Sequence, residues 1–293
     1  MTRAMNSQKW ALFLKVNLGV FVLIVLQGCN SSQKQDKEHL VFKYNEHSNI
    51  ATLDPAFARN PQTIWPSNQL FNGLVQLDDQ LNIQPDIAKS WHINDSTSTY
   101  TFTLRDDVYF HKNKVFKKDS TRSVVAQDFV YSFDRLLSPE LASPGSWVFN
   151  AVQRYHAAND STLVIQLNKP FPAFLGLLSM RYCSVVPKEA IAYYGNDFRS
   201  NPVGTGPFRF KFWEENVKLV LRKNPMYFEK DTQGNRLPYL EAVAITFLPD
   251  KQSEFLQFAQ GNIDFMTGLD NSYKDEIITT KGTLQPKYKD QVQ

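Results

Sequence analysis

The chain is poor in the residues from which metal, redox and nucleophile chemistry is built. Two cysteines and five histidines are spread over 293 residues. None of HExxH, paired CxxC, DxDxDG or GxxxxGK[ST] occurs, which removes the most specific metal and nucleotide signatures. The histidines, at 39, 47, 92, 111 and 156, share no ligand spacing, so each is read as a surface or hydrogen-bonded structural residue. No GxSxG elbow presents a serine nucleophile. Asp106 and Asp107 are chain neighbours after a strand, so their side chains diverge where a general acid and base would have to face one bond. Gly204-x-Gly206 precedes a strand instead of opening a helix, which argues against a phosphate cradle. These absences speak against an enzyme, and they supply no site for a cofactor or a metal.

Long apolar runs are scarce as well. The N-terminal one, Val16 to Leu26, is about half the ~20 residues that a spanning helix needs. No basic run is interleaved with stacking aromatics, and no repeat or low-complexity tract appears. The formal net charge is +3, but Arg3, Lys9 and Lys15 all precede Cys29 with no acid among them. Without residues 1–28 the chain carries 29 Lys and Arg against 29 Asp and Glu, so its basic pI gives no argument for a nucleic-acid partner.

What is present begins with the N-terminus. Positive charge, then an apolar centre, then a small residue is the layout of a secretory signal peptide. The stretch Leu26-Gln27-Gly28-Cys29 resembles a bacterial lipobox, in which the cysteine is acylated and the chain is cut just before it. Residues 1–28 are thus read as the signal, Cys29 as the lipidation site and 29–39 as a polar tether. Acyl chains contribute ~0.8 kcal/mol per buried methylene, so two or three of them anchor durably to a membrane. With Cys29 lipidated, Cys183 has no partner for an intramolecular disulfide. In its apolar setting, MRYCSVVP, burial is expected.

Period-two alternation predicts strands at 40–44, 100–105, 162–168, 208–212 and 217–222. Residues 240–248 (LEAVAITFL) are apolar on both faces and suit a central strand. A helical stripe of Phe129, Val130, Phe133, Leu136 and Leu137 predicts a helix over 125–137. Two more are expected at 188–194, stopped at Gly195, and at 250–260, with Asp250 as N-cap and Gly261 as stop. Strands and helices mix without strict βαβ alternation, so the fold class is α/β of the mixed α+β kind. The segments 138–146 (SPELASPGS) and 200–207 (SNPVGTGP) read as loops or cleft walls.

Seven segments in order resemble the solute-binding proteins of peptide-type ATP-binding-cassette importers, the family of oligopeptide-, dipeptide- and nickel-binding proteins. They are LVFKYNEHSNIATLDPAFARNP, QLFNGLVQLDDQLNIQPDIAKSWHIN, TYTFTLRDDVYFH, VVAQDFVYSFDRLLSPELASP, LVIQLNKPFPAFLGLL, NPVGTGPFRFKFWEENVKLVLRKNPMYF and LPYLEAVAITFLPDKQSEFLQFAQGNIDFM. The resemblance implies a periplasmic-binding-protein-like clamshell whose two lobes close on a solute. It assigns 40–61 and 190–268 to the first-lobe core and 62–189 to a subdomain inserted in it. Residues 269–293 then start a second lobe that is largely missing, because members are considerably longer than this chain.

What the resemblance implies for function is the capture of small peptides by a monomer outside the cytoplasm, followed by delivery to a membrane permease and its ATPase subunits. The same fold could bind a nickel chelate, haem or a sugar, or serve a sensory or scaffold lipoprotein. Ungapped alignment of the motifs carries ligand-lining roles to Arg59 and Asn60, to Gly145, Ser146 and Trp147, and to Met266, Thr267 and Gly268. Where members place an aromatic wall after LASP, the aromatic here is shifted to Trp147. Residues 111–124 (HKNKVFKKDSTRSV) form a longer, more basic connection than members carry. Val125 stands where a capping hydroxyl is usual, so the cap of the following helix is expected from Ser123.

Overall fold

The computed structural model describes residues 40–289 apart from 95, 97, 118, 119 and 269; the N-terminal apolar run and Cys29 lie outside them. From Phe42 onward the chain clusters as one unit. Strands β1 (Val41–Asn45), β8 (Phe208–Glu214), β9 (Lys218–Lys223) and β10 (Ala242–Thr246) form a sheet in the order β1-β10-β9-β8. β10 is an inner strand with its first four residues buried, as its two-faced apolar sequence predicts. A second four-stranded sheet, in the order β4-β5-β7-β6, comprises β4 (Ala88–Ile93), β5 (Thr99–Leu104), β6 (Val152–Asn159) and β7 (Thr162–Leu167). Its neighbours pair antiparallel, with Phe102 opposite Leu163 and Trp91. A short hairpin, β2 (Val75–Leu77) with β3 (Ile83–Pro85), lies between the two in sequence.

The alternation in YTFTLR and TLVIQL does what it predicts. Tyr100, Phe102, Leu104, Leu163, Ile165 and Leu167 are all buried. Over that face lies helix α2 (Ala126–Leu137), whose Phe129, Phe133 and Leu136 are buried too. The rings of Phe133 and Phe149 stand 4.6 Å apart, and Tyr155 meets Phe133 edge-on at 5.5 Å. Fully burying one such phenylalanine contributes roughly 1.5–3 kcal/mol, so this layer is a principal source of stability. One core spans both four-stranded sheets, and a small second cluster forms around Phe255, Ile277 and Tyr288.

The cap of α2 differs from expectation. Ser123 does not supply it. The carboxylate of Asp128 reaches back and accepts from the Val125 N–H at 2.9 Å. Arg122 fixes that carboxylate through bonds of 2.8 and 2.7 Å and also grips Glu189. Arg122 lies 4.9 Å over the Phe110 ring, while Phe116 stacks on Phe110 at 6.0 Å. The basic connection is therefore anchored at Phe116 and Arg122.

Helix α1 (Pro61–Leu70) was not visible as an apolar stripe, because Pro61, Pro66, Ser67, Asn68 and Gln69 dilute it. The remaining helices are α3 (Phe174–Leu178), α4 (Lys188–Tyr194), α5 (Lys251–Ala259) and α6 (Lys274–Ile277). Asp250 caps α5 as predicted, accepting from the Ser253 N–H at 2.7 Å, and Gly261 follows at φ +71°. The VGTGP segment runs hard against the end of α1: a Cβ at Gly204 would lie 2.0 Å from the Leu70 carbonyl oxygen. Among the described residues no helix is long and apolar enough to cross a membrane.

Candidate functional site

Asp54 starts the arrangement. Its carboxylate caps a 3-10 turn, Pro55–Phe57, by accepting from the Ala56 N–H at 3.1 Å. It is held in turn by both terminal nitrogens of Arg135 from α2, one of them at 3.1 Å. The Ser143 hydroxyl donates to the Ala56 carbonyl at 2.6 Å and accepts from the Gly145 N–H at 3.0 Å. One serine thus ties the Leu-Asp-Pro turn to a loop nearly ninety positions away in the chain. The two segments that sequence alignment selected, 59–60 and 145–147, are brought to the same place by this bond.

Each expected ligand residue has a definite setting. Arg59 is exposed and has no ion pair among the described residues. Asn60 is the N-cap of α1: its Oδ1 accepts from the Thr63 N–H at 3.1 Å, and the Thr63 hydroxyl returns toward the Asn60 N–H at 3.4 Å. That capping box, with Pro61 at the first helical position, is what starts a helix the apolar pattern does not announce. Gly145 has no room for a side chain, since a Cβ there would fall 2.2 Å from the ring of Tyr182. Ser146 and Trp147 begin a 3-10 turn, Ser146–Phe149, which is pinned by buried Val148 and Phe149 while Trp147 remains 46% exposed.

Arg59 and Asn60 line a concavity of about 600 Å³ together with Pro144 and Arg135. Gly145, Ser146 and Trp147, which follow Pro144, do not line it, and neither do Met266, Thr267 and Gly268. The last three follow an edge contact at β1: the Asp264 N–H donates to the Lys43 carbonyl at 2.7 Å, and its carboxylate accepts from the Lys43 N–H at 2.7 Å. Gly268 adopts φ +69° and its carbonyl accepts from the Lys251 ammonium at 2.7 Å. The structure thus gathers five of the eight expected residues about one loop pair and places the other three beside β1 and α5.

Sequence reasoning overlooked Tyr182. It lies in the 3-10 turn Arg181–Cys183, its ring fills the space at position 145, and burial pushes its hydroxyl up against the opposing pull of the Arg59 charge. MRYCSVVP reads as plain packing, and the contact with Gly145 joins positions that no local pattern links. Close by, Asp86 is fully enclosed and accepts from the Asn72 amide at 2.9 Å and the Gly73 N–H at 3.0 Å. Burial pushes its carboxyl up to about 7, against the opposing pull of the Arg181 charge and these bonds. His111 is a satisfied structural histidine, with Nε2 3.0 Å from the Gly206 carbonyl and Nδ1 3.3 Å from the Gly204 N–H. Burial drops its imidazole to about 4.

An α/β frame whose two joined loops border an open concavity suits the binding of a small solute. The comparisons agree: the family described as "Bacterial extracellular solute-binding proteins, family 5 Middle" matches residues 82–292, and the chain belongs to it. The periplasmic oligopeptide-binding protein OppA of Salmonella typhimurium is 31% identical, over 71% of this chain and 40% of its own length. Heme-binding protein A of Haemophilus influenzae is 30% identical, over 83% of this chain and 48% of its own. The solved structure of the periplasmic binding protein DppA from Helicobacter pylori in complex with peptide STSA superposes with a TM-score of 0.72 at 27% identity, covering 81% of this chain and 48% of that one. These relatives are named as binding proteins and not as enzymes. The chain spans about two fifths to half the length of the curated relatives it matches.

Proposed function

We propose that this chain supplies the first lobe of a lipid-anchored receptor that captures small peptides outside the cytoplasm and hands them to a membrane permease with its ATPase subunits. In this reading residues 1–28 are the signal, Cys29 carries the lipid and 29–39 are the tether. Residues 40–61 and 190–268 form the lobe core, 62–189 its insert and 269–293 the passage into a second lobe. The receptor works as a monomer. Arg59, Asn60, Gly145, Ser146 and Trp147 line one wall of the cleft, and Met266, Thr267 and Gly268 its exit side.

The observation that supports this best is a rigid frame carrying idle recognition groups. Asp54, Arg135, Ser143 and the capping box fix the loops, while Arg59 has no counter-ion among the described residues and Trp147 faces outward on a turn pinned by buried neighbours. A guanidinium in that position offers a peptide carboxylate two parallel bonds, and an exposed indole offers a flat surface to whatever side chain follows. Binding backbone and charged ends, with side chains in roomy wet pockets, lets one receptor accept many sequences.

Micromolar capture requires about 8 kcal/mol, and an equal share between two lobes leaves each with ~4, or about millimolar affinity. Calorimetric titration of the chain with trialanine is therefore expected to give millimolar binding. A low-micromolar constant would contradict a site shared between two lobes.

A further inference from the structure

A second concavity, of about 560 Å³, opens on the flank of α1 that carries Ile64 and Asn68. Its size is that of a small-molecule site. Its lining contains Asn68, Gln69, Arg181 and Tyr182, and no aspartate or glutamate. Asn68, Gln69 and Tyr182 differ from Asn72 and Gln76 there in having uncommitted side chains among the described residues. Asn72 is taken up by Asp86 and Thr205, and Gln76 by Pro85 and Glu229. By contrast, the side-chain amides of Asn68 and Gln69 and the Tyr182 hydroxyl make no hydrogen bond among the described residues. Arg181 makes one, from Nη1 to the Phe71 carbonyl at 3.0 Å, which orients the guanidinium without neutralising it. No carboxylate pairs with it among the described residues. Asp86, the acid that feels its charge, is enclosed and already holds Asn72 and Gly73.

The ring of Tyr182 is packed against Gly145, so its hydroxyl is delivered at a fixed place with Arg181 beside it in the chain. Arg59 lines the first concavity and Ala58, just before it in the chain, lines this one, so two guanidinia without an ion pair among the described residues stand at adjoining concavities. Cations and donors with no facing acid select anions, and two such cations select a solute with two of them.

We propose that this concavity extends the solute site and selects dianionic, amide-bearing solutes, such as a short peptide with an acidic side chain besides its terminal carboxylate. Arg181 takes the second carboxylate, the Tyr182 hydroxyl adds a donor, and the Asn68 and Gln69 amides engage the adjoining peptide group. This rests on the reading of residues 59–60 and 145–147 as one cleft wall and goes further by naming what the site prefers.

The test compares Ala-Ala-Glu with Ala-Ala-Gln, which differ by one carboxylate in nearly the same shape, using backbone NMR shifts of the isotope-labelled chain. Ala-Ala-Glu should bind about tenfold tighter, the size expected for one hydrogen-bonded charge pair. Arg181→Gln should erase that preference, Arg181→Lys should keep most of it, and Tyr182→Phe, which preserves the packing on Gly145, should reduce it about threefold. Equal affinities, or a preference that survives Arg181→Gln, would overturn the assignment of Arg181 while leaving the cleft wall in place. If neither peptide at ~10 mM, well above a millimolar constant, shifts the signals of Arg59, Trp147, Asn68 or Tyr182, the reading of the wall itself falls.

Discussion

Arginines are used in two opposite ways in this molecule. Arg135 and Arg122 are spent on structure: the first holds the nearly buried Asp54 beneath the Leu-Asp-Pro turn, and the second clamps Asp128 at the start of α2 and Glu189 on α4. Arg59 and Arg181 have no ion pair among the described residues, and each lines a concavity. A desolvated ion pair stabilises only while both partners are present, whereas an idle guanidinium in a concave wall is available to something from outside. The contrast separates residues that build the wall from residues that use it.

That contrast can be broken in a graded way. Arg135→Ala should have the largest effect, a loss of about 3–5 kcal/mol, because it leaves the largely buried Asp54 carboxylate without its charged partner. Urea denaturation measures it, and a loss under 1 kcal/mol would place Arg135 with the idle pair. The next effect comes from Asp86. Its folded-state carboxyl titrates about 7, above the unfolded value of roughly 3.9. Protonated Asp86 is the form that burial favours, so its contribution is complete below pH ~4 and is lost as pH rises to about 7, a decline of a few kcal/mol. Asp86→Asn should flatten the stability profile between those limits; an unchanged slope would show that another group causes it. The smallest effect on stability should come from Arg59→Ala, within ~0.5 kcal/mol of the parent, yet with weaker binding of acidic and neutral peptides alike. Unchanged affinity for both would remove Arg59 from the wall.

Much of the frame was legible before any coordinates. Alternation located β5, β7 and β9 to within a residue, two-faced apolarity identified β10 as an inner strand, and Asp250 and Gly261 bounded α5. Legibility failed where tertiary contacts replace local signals. Helix α1 carries two prolines and few apolar residues, so its start depends on the reciprocal bonds of Asn60 and Thr63 rather than on a stripe. Val125 has no side-chain oxygen, and the cap comes instead from Asp128, three residues on, under the control of Arg122. The Leu-Asp-Pro and LASP motifs pointed at Arg59, Asn60 and Gly145–Trp147, and of these Arg59 and Asn60 line the concavity while Gly145–Trp147 lie on the loop that Ser143 joins to it. Tyr182 was out of reach, because its place comes from a ring packed against a glycine 37 positions earlier in the chain.

Cys183 carries a last consequence. It is the free thiol of the described residues, almost wholly enclosed, and burial pushes it up to about 12. Disulfide exchange and oxidation proceed through the thiolate, so at neutral pH this sulfur offers oxidants almost nothing to attack. A protein built this way can stand in an oxidising environment with an unpaired cysteine and neither cross-link to its neighbours nor need a reductant to keep its shape.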